Sequence, residues 1–275
     1  MNNNVEYRLI ALDMDGTVLT SEKVISPRTA AAMHKALDSG KEVMFATGRC
    51  PAEMREHFAA FPKMTYAMCL SGALVQNIRT GETLADITIS LDLAEQVLKL
   101  AEGLDAMVSV YAGDDVFVEK RRRGNMAYFG CQCFAALYEG CAIWVDDIHE
   151  ALEQRGNQVH KINFYCHTEA DWKRAGELLS DLPLSFASGI PNNFEISPQG
   201  VNKGRGLEML CEAVGIPIEQ AIAVGDEGND LAMIRAAGLG VAMGNAIPPV
   251  KDAADAHTAD CDHDGVALAI ETYLL

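Results

Sequence analysis

Along the chain, short apolar runs end in polar turns and give way to stretches where apolar residues recur at helical spacing. Residues 7–12 form a mostly apolar run that stops at Asp13. Such a run, bounded by turn signals, reads as a buried strand. Ser26-Pro27 has the form of a helix start, with serine as cap and proline at the first helical position, and Gly40 marks the end. Residues 42–46 read as a second strand, Pro51 opens a second helix, and residues 66–70 read as a third strand. The same rhythm returns near the C-terminus. It predicts a helix over 203–214, a strand over 221–224, a helix capped by Asn229 or Asp230, a short strand over 240–243 and a last helix over 266–274. Strand, loop and helix in repetition is the pattern of a parallel sheet with helices on its faces.

The middle of the chain has a different texture. Strand-like runs at 107–111, 116–118, 160–166 and 184–187 alternate with helical stretches near 91–101, 148–154 and 169–179. The expectation is an α/β, Rossmann-like parallel-sheet core formed by residues 1–82 and 189–275. A separate α+β unit, residues 83–188, is inserted between its halves. Insertions are tolerated where the chain leaves and re-enters a core at nearby surface points.

Composition narrows the function. Hydrophobic residues make up 49% and charged residues 22% of the 275, which fits a folded globular protein and not a disordered one. Lys and Arg number 22 against 39 Asp and Glu, a formal net charge of −17. A surface of that sign repels nucleic-acid backbones and anionic membranes, so neither is expected as a partner. No apolar run approaches the ~20 residues that cross a bilayer. The first residues, Met1-Asn2-Asn3-Asn4, lack the basic start and apolar stretch of a secretory signal, so a cytoplasmic location is expected. In that compartment the eight cysteines, none in a Cys-x-x-Cys pair, read as reduced thiols and not as disulfides or a zinc site.

Four polar clusters fall just past the ends of predicted core strands or at helix starts, where an open parallel sheet gathers its ligands. They are Asp13/Asp15, Thr47-Gly48-Arg49, Lys203, and Gly225-Asp226-Glu227-Gly228-Asn229-Asp230. Strand alternation would point Asp13 and Asp15 the same way. Two nearby carboxylates repel each other, and a divalent cation relieves that repulsion. Oxygen ligands with room for water favour Mg2+, and Asp226 can supply a further oxygen. Thr47 and Gly48, at a strand-to-helix passage, suit a phosphoryl group, because backbone N–H groups and a hydroxyl converge there. Lys203 at a helix start asks for a compensating anion. Singly, each cluster also has an ordinary structural reading: a capped turn, a strand-to-helix turn, a solvated lysine. Together they describe phosphoryl transfer, in which cations and donors hold oxygens where charge spreads.

Asp13-Met14-Asp15-Gly16-Thr17, Thr47-Gly48-Arg49, Lys203 and Gly225-Asp226-Glu227-Gly228-Asn229-Asp230 resemble, in order and spacing, the four motifs of the haloacid dehalogenase (HAD) superfamily. The likeness is to Cof-type phosphatases with a class IIB cap, and it covers essentially the whole chain. The resemblance implies Asp13 as nucleophile and metal ligand. It implies Asp15 as general acid/base, with its backbone carbonyl on the metal, and Asp226 as the third protein ligand. It places Asp230 behind the metal site, and Thr47, Gly48, Lys203 and Asn229, with the backbone N–H of Met14, around the phosphate. Ser71-Gly72-Ala73 departs from the family's usual Asn-Gly-Ala at a leaving-group contact. The implied enzyme is a Mg2+-dependent phosphatase of small phosphorylated metabolites, sugar phosphates first and cofactor or nucleotide-like phosphates behind them, with the inserted unit selecting the substrate. A sugar phosphomutase on the same core is the alternative, and a non-catalytic phosphometabolite sensor ranks lower. Homo-oligomerisation is left open.

Overall fold

The computed structural model describes residues 5–155, 158–188 and 190–275, so the asparagine-rich start, Met1–Asn4, lies outside the described residues. The chain forms two compact units. The first runs through Arg49 and adds Glu56–Asp86 and Asn202–Leu275; the second is Cys50–Arg55 with Ile87–Val201.

The first unit begins with β1 (Leu9–Leu12), α1 (Pro27–Asp38) and β2 (Glu42–Ala46); α2 (Pro51–Ala60) is divided, its residues from Glu56 on belonging to this unit, and β3 (Tyr66–Cys69), β4 (Leu74–Asn77) and β5 (Thr83–Asp86) follow. All four residues of β1 are buried, the mark of a strand covered on both faces. Ser26 caps α1 by accepting from the Thr29 N–H at 3.1 Å, with Pro27 in the first turn.

The second unit comprises α3 (Leu91–Ala101), β6 (Ala106–Ala112), β7 (Asp115–Glu119), α4 (Ala135–Cys141), β8 (Ile143–Val145), α5 (Ile148–Arg155), β9 (Val159–Cys166), α6 (Glu169–Leu179), β10 (Leu184–Ala187) and β11 (Asn193–Pro198). Its strands form one sheet in the order β10-β11-β9-β6-β7-β8, antiparallel except for the β7–β8 pair. Val108, Val110, Ile162 and Phe164 point from one face into a core with Val97, Leu98, Leu152 and Leu179 of the helices. Alternation puts Ser109, Tyr111, Asn163 and Tyr165 on the other face, where the Tyr138 hydroxyl bonds Ser109, Tyr111 and Tyr165 at 3.1, 2.8 and 2.9 Å.

The chain then completes the first unit with α7 (Lys203–Val214), β12 (Ala221–Gly225), α8 (Leu231–Ala236), β13 (Leu239–Ala242), α9 (Pro248–Ala253), β14 (Ala256–His257) and α10 (Gly265–Ala269). The sheet order is β14-β13-β12-β1-β2-β3-β4-β5. Pairing is parallel from β14 to β3 and antiparallel for β4 and β5. Strand order runs outward from β1 in opposite senses, through β2 and β3 on one side and through β12, β13 and β14 on the other. That is the switch point where such sheets open a crevice.

Both edges of the inserted unit differ from the expected 83–188. Residues 83–86 stay in the first unit because β5 pairs with β4. Residues 190–201 join the second because β11 pairs between β9 and β10. Gly189, at the expected boundary, lies outside the described residues.

Candidate active site

Three strand ends of the first unit carry the predicted chemistry. Asp13 follows β1, Thr47 follows β2 and Asp226 follows β12. Register brings these ends level, with Leu12 opposite both Val224 and Phe45. The Asp13 N–H donates to the Val224 carbonyl at 3.0 Å, so the ladder continues into the site. Lys203 is the first residue of α7, whose cap Asn202 accepts from the Arg205 N–H at 2.9 Å.

These elements converge on one buried cluster. The Lys203 side chain is fully buried and donates to Asp13 Oδ1 at 2.5 Å and to Asp230 Oδ1 at 2.7 Å. Asp230 Oδ2 accepts the N–H groups of Asp226 and Glu227 at 2.9 and 3.0 Å. Both Asp230 oxygens thus hold other parts of the site in place. Asp226 Oδ1 accepts from the Thr17 hydroxyl at 2.8 Å, and Asp226 Oδ2 from Asn245 Nδ2 at 3.1 Å. Asn245 Nδ2 also donates to the Gly16 carbonyl at 2.8 Å, tying the loop after β1 to that after β13.

Carboxylate oxygens of Asp13, Asp226 and Asp230 lie within 4.8 Å of one another. One lysine faces three buried carboxylates, so with all three ionised the set has a surplus of two negative charges that a divalent cation would neutralise. Hard oxygen donors suit such a cation. Burial pushes the Asp13 carboxyl up to about 8, helped by repulsion from Asp230 and opposed by Lys203. Burial lifts Asp226 to about 6 against the Thr17 hydrogen bond. Burial also works against the Lys203 charge, but Asp13 and Asp230 outweigh it and hold the ammonium group protonated.

Asp15 does not share that cluster. It lies beyond the end of β1, in a turn where strand alternation no longer sets direction. Its carboxylate takes a two-pronged bond from Arg49, Nε to Oδ2 at 3.0 Å and a terminal nitrogen to Oδ1 at 2.8 Å, and one from Lys23 Nζ at 3.0 Å. Burial opposes the Asp15 charge, yet Arg49 and then Lys23 prevail and hold its carboxyl below the usual range. Thr47 is buried and joins this group through Arg49, whose N–H donates to Thr47 Oγ1 at 3.1 Å. Gly48 approaches Ser71, whose Oγ would lie 3.3 Å from an added Cβ. Met14 is fully buried, and Asn229 sits exposed on the turn before Asp230, outside the hydrogen-bond network just described.

Sequence reasoning missed Thr17, and Lys23 beside Asp15, and left Arg49 open between a phosphate-facing cation and a partner for a cap or core carboxylate; the structure puts it on Asp15. Thr17 had a signal in the motif after Asp13; Lys23 had none. The basic run Lys120-Arg121-Arg122-Arg123 is largely engaged locally, with Lys120 on Asp146, Arg121 on Glu119 and Arg123 on Glu139.

Gly16 shows how tight the site is. Its φ of +87° suits glycine, and an added Cβ would lie too close to Asp226 Oδ2. Gly16→Ala is expected to displace the Asp226 carboxylate and weaken divalent-cation binding by about tenfold or more, measured by calorimetric titration.

A parallel sheet with ligand groups at its switch point, a buried lysine between aspartates and an aspartate pair around a tight turn define a phosphoryl-transfer hydrolase. The chain belongs to the haloacid dehalogenase-like hydrolase family, whose model matches residues 10–270, and it is an enzyme of the phosphatase kind. Phosphatase YwpJ of Bacillus subtilis is 30% identical, over 94% of this chain and 97% of that protein. The 5-amino-6-(5-phospho-D-ribitylamino)uracil phosphatase YitU of the same organism is 30% identical, over 96% and 97%. Pyridoxal phosphate phosphatase YbhA of Escherichia coli is 27% identical, over 98% and 99%. Among solved structures, a haloacid dehalogenase-like hydrolase from B. subtilis superposes with a TM-score of 0.85 at 26% identity, covering 96% of this chain and 99% of that one. Among the described residues, no helix is long and apolar enough to cross a membrane.

Proposed function

We propose that the protein is a Mg2+-dependent phosphatase of small phosphorylated metabolites, working through an aspartyl-phosphate. The observation that carries this reading is the buried group of Asp13, Lys203, Asp226 and Asp230, assembled from three separate stretches of chain. Asp13 and Asp226, with the Asp15 backbone carbonyl, would hold the metal ion, and Asp230 would position Lys203 and the 226–227 backbone. The bound ion would neutralise charge on the phosphoryl oxygens.

In the first step an Asp13 carboxylate oxygen bonds to phosphorus, the ester P–O bond breaks, and Asp15 gives a proton to the departing alkoxide. In the second, Asp15 takes a proton from water. The oxygen of that water bonds to phosphorus, the acyl–phosphate bond breaks, and Asp13 is regenerated. An anionic substrate competes with the Asp15 carboxylate for Arg49, and a carboxylate that loses such a partner takes up a proton more readily. Lys203, Thr47, Gly48, Asn229 and the Met14 N–H would cradle the phosphoryl oxygens. The inserted unit selects the leaving alcohol. The relatives' named substrates, a phosphorylated ribityl compound and pyridoxal phosphate, support a sugar-like or cofactor-like phosphate as the substrate.

A phosphometabolite panel read by free phosphate release tests the function. Release without a bisphosphate activator supports the hydrolase; phosphate retained on the product, with bisphosphate activation, would make it a mutase. EDTA should stop turnover and added Mg2+ should restore it. The metal also has a pH signature. Between the ordinary aspartate value of 3.8 and about 8, the folded, metal-free chain keeps an Asp13 proton that the unfolded chain has lost. Its stability contribution therefore falls as pH rises through that window. A cation competes with that proton, so the Mg2+-induced rise in Tm should be larger near pH 8 than near pH 5.5. A pH-independent shift would remove Asp13 from the metal site.

A further inference from the structure

The cations around Asp15 are more numerous than its charge requires. Arg49 alone meets both carboxylate oxygens in the geometry that suits guanidinium and carboxylate. Lys23 adds a third bond, to the same Oδ1 that Arg49 already occupies. The Arg49 side chain is 19% exposed, whereas that of Lys23 is 63% exposed. An exposed ion pair of this kind contributes little to stability.

The backbone at Lys23 is held in an uncommon conformation. Its φ is +61°, the left-handed region that favours glycine or asparagine. The turn is closed by the Thr20 N–H on the Val24 carbonyl and the Lys23 N–H on the Thr20 carbonyl, each 2.9 Å. A long cationic side chain at a position where glycine would be easier, making a bond its target does not need, points to a role outside folding.

Location gives that role its content. In the reaction proposed above, on which this inference rests, Asp15 meets the oxygen of the leaving alcohol. Groups bonded to Asp15 therefore border the leaving group and not the transferred phosphoryl. The inner cluster of Asp13, Asp226, Asp230 and Lys203 becomes neutral when it holds a divalent ion. The Asp15, Arg49 and Lys23 group carries one positive charge in excess. On a chain of net charge −17, that is a local cationic spot beside the departing oxygen.

We propose that Lys23 is a specificity-determining residue, whose ammonium group binds a second anionic group, a carboxylate or another phosphoryl, carried by the leaving alcohol a few carbon atoms from the ester oxygen. Lys23, being exposed and redundant on Asp15, is the cation that turns to this second group.

Steady-state kinetics on the Mg2+-loaded full chain test this with glucose 6-phosphate, whose leaving alcohol is neutral, against 3-phosphoglycerate and fructose 1,6-bisphosphate. Lys23→Gln should lower kcat/KM for the two anionic-alcohol substrates about fivefold, mainly through KM, and change glucose 6-phosphate by less than about twofold. Lys23→Arg should keep the preference, and high salt should erode it in the wild type. Lys23→Gly should lose the preference with an unchanged or higher Tm, which separates the role from folding. Equal losses on all three substrates, or no wild-type response to the second charge, would overturn the inference and leave the phosphatase reading intact. A wild type that releases phosphate from none of them, nor from any member of the wider panel, would overturn both.

Discussion

Asp13→Asn is expected to abolish phosphate release, by at least about a thousandfold, with the fold intact. An amide has the same shape as the carboxylate but does not supply the oxygen nucleophile, so the acyl–phosphate bond cannot form. The substitution should be well tolerated structurally. Residue 13 would still present a carbonyl oxygen to Lys203, and a neutral side chain avoids the burial cost that lifts the Asp13 carboxyl to about 8. Metal-free Tm at neutral pH should therefore change little, while a phosphate-release assay falls to background. Retained turnover would end the covalent mechanism. An unfolded variant, seen by circular dichroism, would instead mean that the Asp13–Lys203 contact supports the fold more than its geometry implies.

Lys203→Met should damage both activity and stability. Methionine replaces the apolar stem of the lysine, but the ammonium group that two buried aspartates share is gone. Breaking a buried ion pair by removing one partner typically costs about 3–5 kcal/mol, because the remaining charge has no partner. Three carboxylates would then crowd one pocket with no protein cation among them. The metal-free variant should lose stability on that scale, more at pH 8 than at pH 5, since protons relieve the repulsion in acid. Mg2+ should recover part of the loss. Activity should fall about a hundredfold or more even with the metal bound, because a charge aimed at the phosphoryl oxygens is missing. Urea titrations across pH, with and without Mg2+, separate the two effects. Stability indifferent to pH would show that Asp13 and Asp230 are not coupled through Lys203.

Much of this architecture was legible because its signals are local. Residues 42–46 were delimited by their apolar content and the Gly40 and Thr47-Gly48 turns, and β2 occupies the same span. The Ser26-Pro27 start is where α1 begins. The strands that escaped notice are those whose partners decide them. β4 has four residues, and β5 is Thr-Leu-Ala-Asp, half-exposed at a sheet edge, so neither offers a run or a clear alternation. Residues 193–198 hold Asn, Glu and Pro, and become a strand by lying between β9 and β10. The candidate site divides in the same way. Motif spacing nominated Asp13, Asp226, Asp230 and Lys203, which the structure brings together. It did not foresee that Asp15 would turn to Arg49 and Lys23, because that depends on a loop past the strand end, where side-chain period carries no information.

The central position of β1 has a consequence for the newly made chain. Its neighbours are β2, a few dozen residues on, and β12, which is translated more than two hundred residues later, as the Thr17–Asp226 separation of 209 shows. While the ribosome is still making the inserted unit, the Leu-Ile-Ala-Leu segment has one hydrogen-bonding edge without its native partner. Such an edge invites pairing with other chains. Expression at lower temperature, or with chaperones that shield nascent strands, should raise the yield of active enzyme more than it would for a protein whose middle strand finds both neighbours early.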